Sequence, residues 1–304
     1  MAQAVNRAQT VGTSLDAITA AMSHTTVSTS TLNLIVWIDD PARRDWIVER
    51  ACRLAEKHPS LTLILDHTGK HAGEATVSAT TRDDQPQSST YGECVDVDVA
   101  GFDVATIASY VDALCTTGVP TVLWWSGANV SRRPVFEALL PHAELLLVDS
   151  SGALRDESAV SRLIAFHQEH ADVVLRDLAW LRLGPWQDMI AAFFDDPGLR
   201  DELFSIRRLH IASGSASEAL YLGAWLASRL GWRAAGHDAF ADRSGKPVAF
   251  VREREGDIRR IQYRDECRVG REVIGECDKI RPAGSLINSV GSEPYLRPRP
   301  AWLN

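Results

Sequence analysis

The stretch LNLIVWIDDPARRDWIVERACRLAEKHPSLTLILDH, residues 32–67, predicts a β-α-β unit. Its first run, residues 32–38, is short, apolar and rich in β-branched residues, and residues 61–67 repeat this texture. Asp40 as N-cap and Pro41 at the first helical position predict that the intervening helix begins there. An almost continuous apolar second strand is typical of a sheet that is covered on both faces.

The helix of this unit should end at His58 and Pro59. Its predicted inner face consists of residues at helical spacing, namely Trp46, Ile47, the stem of Arg50, Ala51 and Leu54.

Alternating strands and helices continue along the chain. Two strands with alternating apolar and polar residues are expected at 75–80 and 94–99, and a helix over 104–117 should follow its N-cap Asp103. Further elements are expected as strands at 121–125, 145–151 and 207–212 and as helices at 156–170 and 216–230. This order predicts an α/β fold with an open, mostly parallel sheet and flanking helices, Rossmann-like in its N-terminal part.

The texture changes after residue 232. Three alternating runs of mixed charge, at 247–253, 257–264 and 271–277, suit a smaller α+β domain with antiparallel strands and one wet face. We therefore expect three parts along the chain. These are an N-terminal extension over 1–25, an α/β domain over 26–170 and an α+β domain over 171–304 with a proline-rich, extended tail.

Composition excludes several classes of partner. The formal charge of −8 repels phosphate backbones, so nucleic acid is not an expected partner. No apolar run approaches the roughly 20 residues that cross a bilayer, so we expect no membrane partner and a cytoplasmic location. The five cysteines are an odd number without a CxxC motif, and neither a disulfide framework nor a zinc site is predicted.

The segment DLAWLRLGPWQDMIAAFF, residues 177–194, is the most informative about function. From Gly184 and Pro185 onward its apolar residues share one helical face, which predicts core packing for Trp186, Met189, Ile190, Phe193 and Phe194. Asp177, Trp180 and Arg182 precede that helix in a short linker. Such a set is either a structural clasp or an anchor for a partner.

No catalytic residue, metal site or cofactor is predicted. The chain lacks the dinucleotide fingerprint, the phosphate loop and the nucleophile elbow. A phosphate could be held at a helix N-terminus by the loop Ser213, Gly214, Ser215 and Ser217, although simple capping also explains Ser215. Cys267 and Cys277 lie in a predicted hairpin and are candidates for a reversible disulfide, whereas reduced thiols are the ordinary state in cytosol.

Four segments resemble the glucose-6-phosphate dehydrogenase assembly protein family, OpcA. They occur in the family's order as LWWSG (123–127), VDSS (148–151), DLAWLRLGPW (177–186) and AWLASRLGW (224–232). Residues 29–38 and 58–65 also fit the opening β-α-β unit of that family. The resemblance implies a protein that is not an enzyme, that binds glucose-6-phosphate dehydrogenase and that promotes its active oligomeric form.

The resemblance also implies support of the oxidative pentose phosphate pathway and of NADPH supply. Thioredoxin is a further candidate partner. In cyanobacterial members of the family, the thiol state that thioredoxin controls is implicated in activation.

Aromatic and arginine side chains carry most of the energy at typical interfaces. The partner-binding candidates are therefore Trp124, Trp125, Trp180, Arg182 and Trp186, with Asp177 orienting Arg182. Alternatively, all of these residues pack inside and the interface lies elsewhere, for example on the C-terminal sheet. A function from another class, a phosphosugar-binding enzyme or sensor that uses the loop 213–217, is the competing hypothesis.

Overall fold

The structure is a computed structural model of the chain. It describes residues 4–22, 30–55, 58–71, 73–82, 90–127, 130, 133–151, 158–195, 197–236, 239–253, 260–264 and 271–274. The described residues fall into two compact units. The first comprises residues up to 149 and 161–176, and the second comprises 150–160 and 177–281. The domain boundaries expected from the sequence stay a prediction.

An eight-stranded sheet forms the first unit. Its strands are β1 (Ala4–Gly12), β2 (Leu32–Ile38), β3 (Ser60–Asp66), β4 (Glu74–Arg82), β5 (Thr90–Asp98), β6 (Thr121–Trp125), β7 (Leu145–Val148) and β8 (Val174–Asp177). They lie in the order β1-β4-β5-β3-β2-β6-β7-β8, in which β5, β3, β2, β6 and β7 pair in parallel. β4 pairs antiparallel with both β1 and β5. The predicted open, mostly parallel sheet is confirmed.

The helices that accompany this sheet alternate with its strands along the chain. They are α1 (Leu15–Met22), α2 (Arg44–Ala55), α3 (Val104–Leu114), α4 (Pro134–Leu139) and α5 (Ala159–Glu169), with a short 3₁₀ helix at Leu140–His142. Asp103 caps α3 as predicted, because its carboxylate accepts a hydrogen bond from the Thr106 amide at 2.7 Å. Residues 4–22, which the sequence placed in an extension, form β1 and α1.

The core of the first unit is centred on β2 and β3. Every residue of both strands is buried, as the continuous apolar runs predict for a sheet covered on both faces. Ile35 pairs with Leu63 on one side and with Leu123 of β6 on the other. Full burial of such a side chain contributes about 1.5–3 kcal/mol, so these central strands dominate the stability of the unit.

α2 begins one turn later than the sequence predicts. Asp40 caps a turn, since its side chain accepts from the Ala42 amide at 2.9 Å and its carbonyl accepts from the Arg43 amide at 3.1 Å. The helix therefore begins at Arg44 and not at Pro41. Ile47, Ala51 and Leu54 are buried as predicted, but Trp46, whose ring contacts that of Trp124 in β6, is 38% exposed and only partly belongs to the inner face.

A disulfide joins Cys52 of α2 to Cys94 of β5, with the Cα atoms 5.8 Å apart. The expectation that the cysteines form no disulfide is wrong for this pair. The two residues are 42 positions apart in the sequence, and only the packing of α2 against the sheet brings them together. Cys267 and Cys277 lie outside the described residues.

The second unit contains a six-stranded sheet. Its strands are β9 (Arg208–Ala212), β10 (Arg233–Gly236), β11 (Ala239–Ala241), β12 (Pro247–Glu253), β13 (Arg260–Arg264) and β14 (Arg271–Ile274), and they lie in the order β10-β11-β12-β9-β13-β14. The pair β12–β9 is parallel and the other pairs are antiparallel. The smaller C-terminal domain with antiparallel strands is thus confirmed, with one parallel pair at its centre.

Four α-helices are described in this unit. They are α6 (Leu178–Arg182), α7 (Gly184–Phe193), α8 (Pro197–Arg200) and α9 (Ala216–Leu230), with a 3₁₀ helix at Asp201–Ser205. α9 ends at Gly231, whose φ of +69° is the left-handed conformation that glycine adopts without strain. No helix in the described part of either unit is long and apolar enough to cross a membrane.

The apolar face predicted for α7 packs into the core of this unit. Trp186, Ile190 and Phe194 are buried there against residues of β9, α9 and β12, and Met189 and Phe193 are partly buried against the same cluster. The prediction of core packing for this helix is confirmed.

Replacing Gly223 with alanine should destabilise the second unit. A Cβ at this position of α9 would lie 2.5 Å from the ring of Phe250, which is itself buried in the core cluster. Overpacking of this kind costs roughly 1–3 kcal/mol, more than the gain of about 0.5–1 kcal/mol from replacing a helical glycine. The measurement is urea unfolding of the full chain.

The control for this substitution is Gly184→Ala, because a Cβ at Gly184 meets no atom within 4 Å. It should leave the unfolding midpoint unchanged or raise it slightly. Equal stability of Gly223→Ala and the wild-type chain would contradict the packing described for α9.

Candidate functional site

Asp177 organises the segment that the sequence singled out. It ends β8 and caps α6, and its Oδ1 accepts hydrogen bonds from the amides of Ala179 at 2.9 Å and Ser150 at 3.1 Å. The hydroxyl of Tyr221, on α9, donates to Oδ2 at 2.8 Å. Burial raises the pKa of the Asp177 carboxyl, although these hydrogen bonds favour its charged form.

Arg182, on the last turn of α6, is held by Glu218, so the expectation that Asp177 orients it is wrong. Its Nε donates to Oε1 of Glu218 at 2.9 Å, and its Nη2 donates to the hydroxyl of Ser151. Glu218 lies in the first turn of α9, where a negative charge also interacts favourably with the helix dipole. The ion pair of Arg182 with Glu218 links two segments that are 36 residues apart, and the sequence pattern gave no indication of it.

Trp180 completes this cluster. Its ring contacts the ring of Tyr221 edge-on at a centroid distance of 5.8 Å, and it packs, half-buried, against the core of the second unit. Together, Asp177, Trp180 and Arg182 fasten α6 to α9, which favours the interpretation as a structural clasp. About 30% of the Arg182 side chain is still exposed, so surface remains on the clasp for an outside contact.

The other three tryptophan candidates are buried. Trp124 and Trp125 lie in β6 with 4% and 1% of their surfaces exposed, and Trp186 lies in the core of the second unit with 4% exposed. The ring of Trp125 stacks on that of Trp37 at 5.3 Å. This burial agrees with the alternative that these tryptophans pack inside the protein. Partner binding by the three residues stays a prediction.

The hydroxyls of the loop 213–217 take part in local hydrogen bonds. The Ser213 hydroxyl accepts from the Ser215 amide at 3.1 Å, and the Ser215 hydroxyl caps α9 by accepting from the Glu218 amide at 3.3 Å. Ser217 is buried and donates to the carbonyl of Ser150 at 3.3 Å. Capping accounts for Ser215 and other local hydrogen bonds account for Ser213 and Ser217, and phosphate binding at Ser213, Gly214, Ser215 and Ser217 stays a prediction.

Ion pairs cover the carboxyl ends of the parallel strands in the first unit, and sequence reasoning missed them. Arg43 pairs with Asp149 at 3.0 Å and Arg133 pairs with Asp39 at 2.6 Å. Arg44 is buried and pairs with Asp66 and, at 2.5 Å, with Asp96. The acidic residues that end these strands were visible in the sequence, but their arginine partners depend on the order of the strands.

The strands β5-β3-β2-β6-β7-β8 follow the order of a dinucleotide-binding sheet, in which ligands bind where the order reverses. That point lies between β2 and β6. The turn after β2 carries Asp39 in place of a glycine-rich phosphate loop. A Cβ on Gly127 would lie 2.9 Å from the Trp125 ring and 3.0 Å from Asp39 Oδ2, so an indole and a carboxylate pack closely against Gly127.

Two domain families, both described as parts of a glucose-6-phosphate dehydrogenase subunit, match the chain in order. The N-terminal domain family matches residues 51–165, and the C-terminal domain family matches residues 173–281. A "Putative OxPP cycle protein OpcA" from Nostoc punctiforme is 32% identical over 231 residues, which cover 73% of this chain and 46% of that protein. The protein of the same description from Synechococcus elongatus is 30% identical, covering 54% of this chain and 34% of its own length.

These matches show that the chain belongs to the OpcA family. The chain spans about half the length, or less, of the curated relatives that it matches. Among solved structures, an oxidoreductase from Sinorhizobium meliloti has a TM-score of 0.43 at 10% identity, covering 90% of this chain and 85% of that chain. A similarity this distant carries no argument about function.

Asp96→Asn should reduce the pH dependence of stability. Burial raises the pKa of Asp96 from 3.8 to about 6, despite the neighbouring Arg44 guanidinium. Between these values the folded protein keeps a proton that the unfolded chain releases, so stability falls as the pH rises from about 4 to about 6. The wild-type chain should lose at most about 3 kcal/mol of its free energy of unfolding over this interval, and the Asp96→Asn variant should lose less.

Denaturant unfolding of the full chain at about pH 4.5 and about pH 6.5 measures this difference. Asp172→Asn, at an exposed position of the same unit, is the control and should follow the wild-type chain. A wild-type chain that gains stability over this interval would contradict the environment described for Asp96.

Proposed function

We propose that the chain is a non-catalytic partner of glucose-6-phosphate dehydrogenase that promotes its active oligomeric state. The observation that carries the proposal is the ordered match to the N-terminal and C-terminal domain families of a glucose-6-phosphate dehydrogenase subunit. The relatives' description as OxPP cycle proteins supports the same assignment. Through the dehydrogenase, the chain would support the oxidative pentose phosphate pathway and the supply of NADPH.

Four buried or partly buried carboxylates are already held by hydrogen bonds or ion pairs, which supports a non-catalytic role. A general base needs an accessible lone pair within reach of a substrate proton. Asp177 accepts from two amides and a hydroxyl, and Asp39, Asp66 and Asp149 are paired with arginines. These carboxylates stabilise the fold, and none is presented to an outside reactant by the contacts described.

Activation by such a partner is a matter of differential affinity. The chain has to bind the active conformer of the dehydrogenase better than the inactive one, and the shift of the equilibrium cannot exceed that difference. A tenfold shift therefore requires about 1.4 kcal/mol of differential binding free energy. A contact surface with a few well-ordered side chains is sufficient for an effect of this size.

Of the six residues proposed for partner contact, Trp180 and Arg182 are the ones whose side chains are partly exposed. We assign them a direct contact and assign Asp177 the role of ordering the clasp that presents them. Trp124, Trp125 and Trp186 would contribute only through their packing inside the two units. A phosphosugar-binding function of the loop 213–217 and an interaction with thioredoxin stay predictions, and no contact of the described residues favours either.

The proposal is tested by mixing the purified chain with its cognate dehydrogenase. We expect co-elution in size-exclusion chromatography, a shift of the dehydrogenase to a larger species and a lower KM for glucose 6-phosphate. An inert acidic protein of similar size is the control. Separate elution together with an unchanged KM would refute the proposed function.

A further inference from the structure

We propose that Trp46 and Arg50 of α2, named here the α2 surface, form a docking site for a carboxylate-bearing patch of the protein partner. The inference rests on the proposed function and assigns it a contact surface that the clasp does not include. The observations concern one exposed ring, one guanidinium and the charges around them.

Trp46 is an exposed aromatic residue that is nevertheless held in place. It is 38% exposed, and its ring contacts the buried ring of Trp124 edge-on at 6.3 Å. The guanidinium groups of Arg43 and Arg50 lie 5.8 and 5.2 Å from its centroid. Single exposed apolar residues are common on protein surfaces. A tryptophan that contacts another ring and two guanidinium groups differs from them, since it loses less conformational freedom when a partner covers it.

Arg50 supplies the positive charge of the α2 surface. Its guanidinium lies against the Trp46 ring, and its Nε is buried without a hydrogen-bond partner among the described residues. Arginine presents its N–H groups in a planar fork that matches a carboxylate.

The acidic residues on the same helix are already paired. Glu49 pairs with Arg53 at 3.1 Å, and Asp45 pairs with Lys70 at 3.0 Å. Arg43, the other arginine near the ring, pairs with Asp149. Arg50 is therefore the cation beside Trp46 that forms no ion pair within the part of the chain that the structure describes.

A protein carboxylate fits this surface better than a small anion does. The indole ring offers a large apolar area that only a partner with its own side chains can cover. The net charge of −8 also disfavours extended polyanions. Tryptophan and arginine are among the residues most enriched at the positions that dominate interface energies.

The experiment is titration of the cognate dehydrogenase with the full chain and its variants by calorimetry. Trp46→Ala and Arg50→Glu should each raise Kd at least roughly tenfold, the loss expected at a dominant interface residue. Arg53→Glu makes the same charge change three residues along α2 and removes only an exposed pair, so its Kd should stay within about threefold. Circular dichroism and thermal unfolding establish that each variant is folded.

Hydrogen exchange of the wild-type complex tests the same surface without a substitution. Amides of Arg44–Ala55 should exchange more slowly in the complex than in the free chain. If the wild-type chain binds, but both variants bind equally well and α2 gains no protection, the α2 surface is wrong and the proposed function stands. If the wild-type chain does not bind the dehydrogenase at all, the proposed function fails and this inference fails with it.

Discussion

The guanidinium of Arg44 lies between the carboxylates of Asp66 and Asp96, where β3 and β5 end. Burying a charge costs several kcal/mol unless an opposite charge and hydrogen bonds compensate for it. The guanidinium of Arg44 therefore has to reach both of these carboxylates at once. This requirement places the first turn of α2 over the ends of these strands, and the disulfide between Cys52 and Cys94 holds the same helix to β5 further along.

The second unit solves the same problem with neutral donors. Asp177 is buried like Asp66, but two amides and the Tyr221 hydroxyl take the place of an arginine. Burial raises the pKa of the Asp177 carboxyl, while these hydrogen bonds favour its charged form. In both units the polar groups that resemble site residues hold secondary structure together. Such use of polar groups suits a protein that acts by binding to another protein.

Much of the fold follows from local patterns in the sequence. The apolar runs of β2 and β3, the cap Asp103 and the end of α9 at Gly231 each depend on residues a few positions apart. The ion pairs, the disulfide and the Tyr221 contact join residues that are 22 to 106 positions apart, and they depend on the order of the strands. Periodicity alone could not indicate them.

α2 illustrates how charge can override an apolar pattern. Hydrophobicity places Trp46 inside and Arg44 outside, but the buried carboxylate of Asp66 and the partly buried one of Asp96 select Arg44 for the inner face, in line with Ile47, Ala51 and Leu54. Trp46 is then turned towards solvent, with Arg50 beside it. The interaction that stabilises the inside of the first unit thus also determines which aromatic residue its outside presents. The α2 surface that we propose for binding thus follows from the electrostatics of the core.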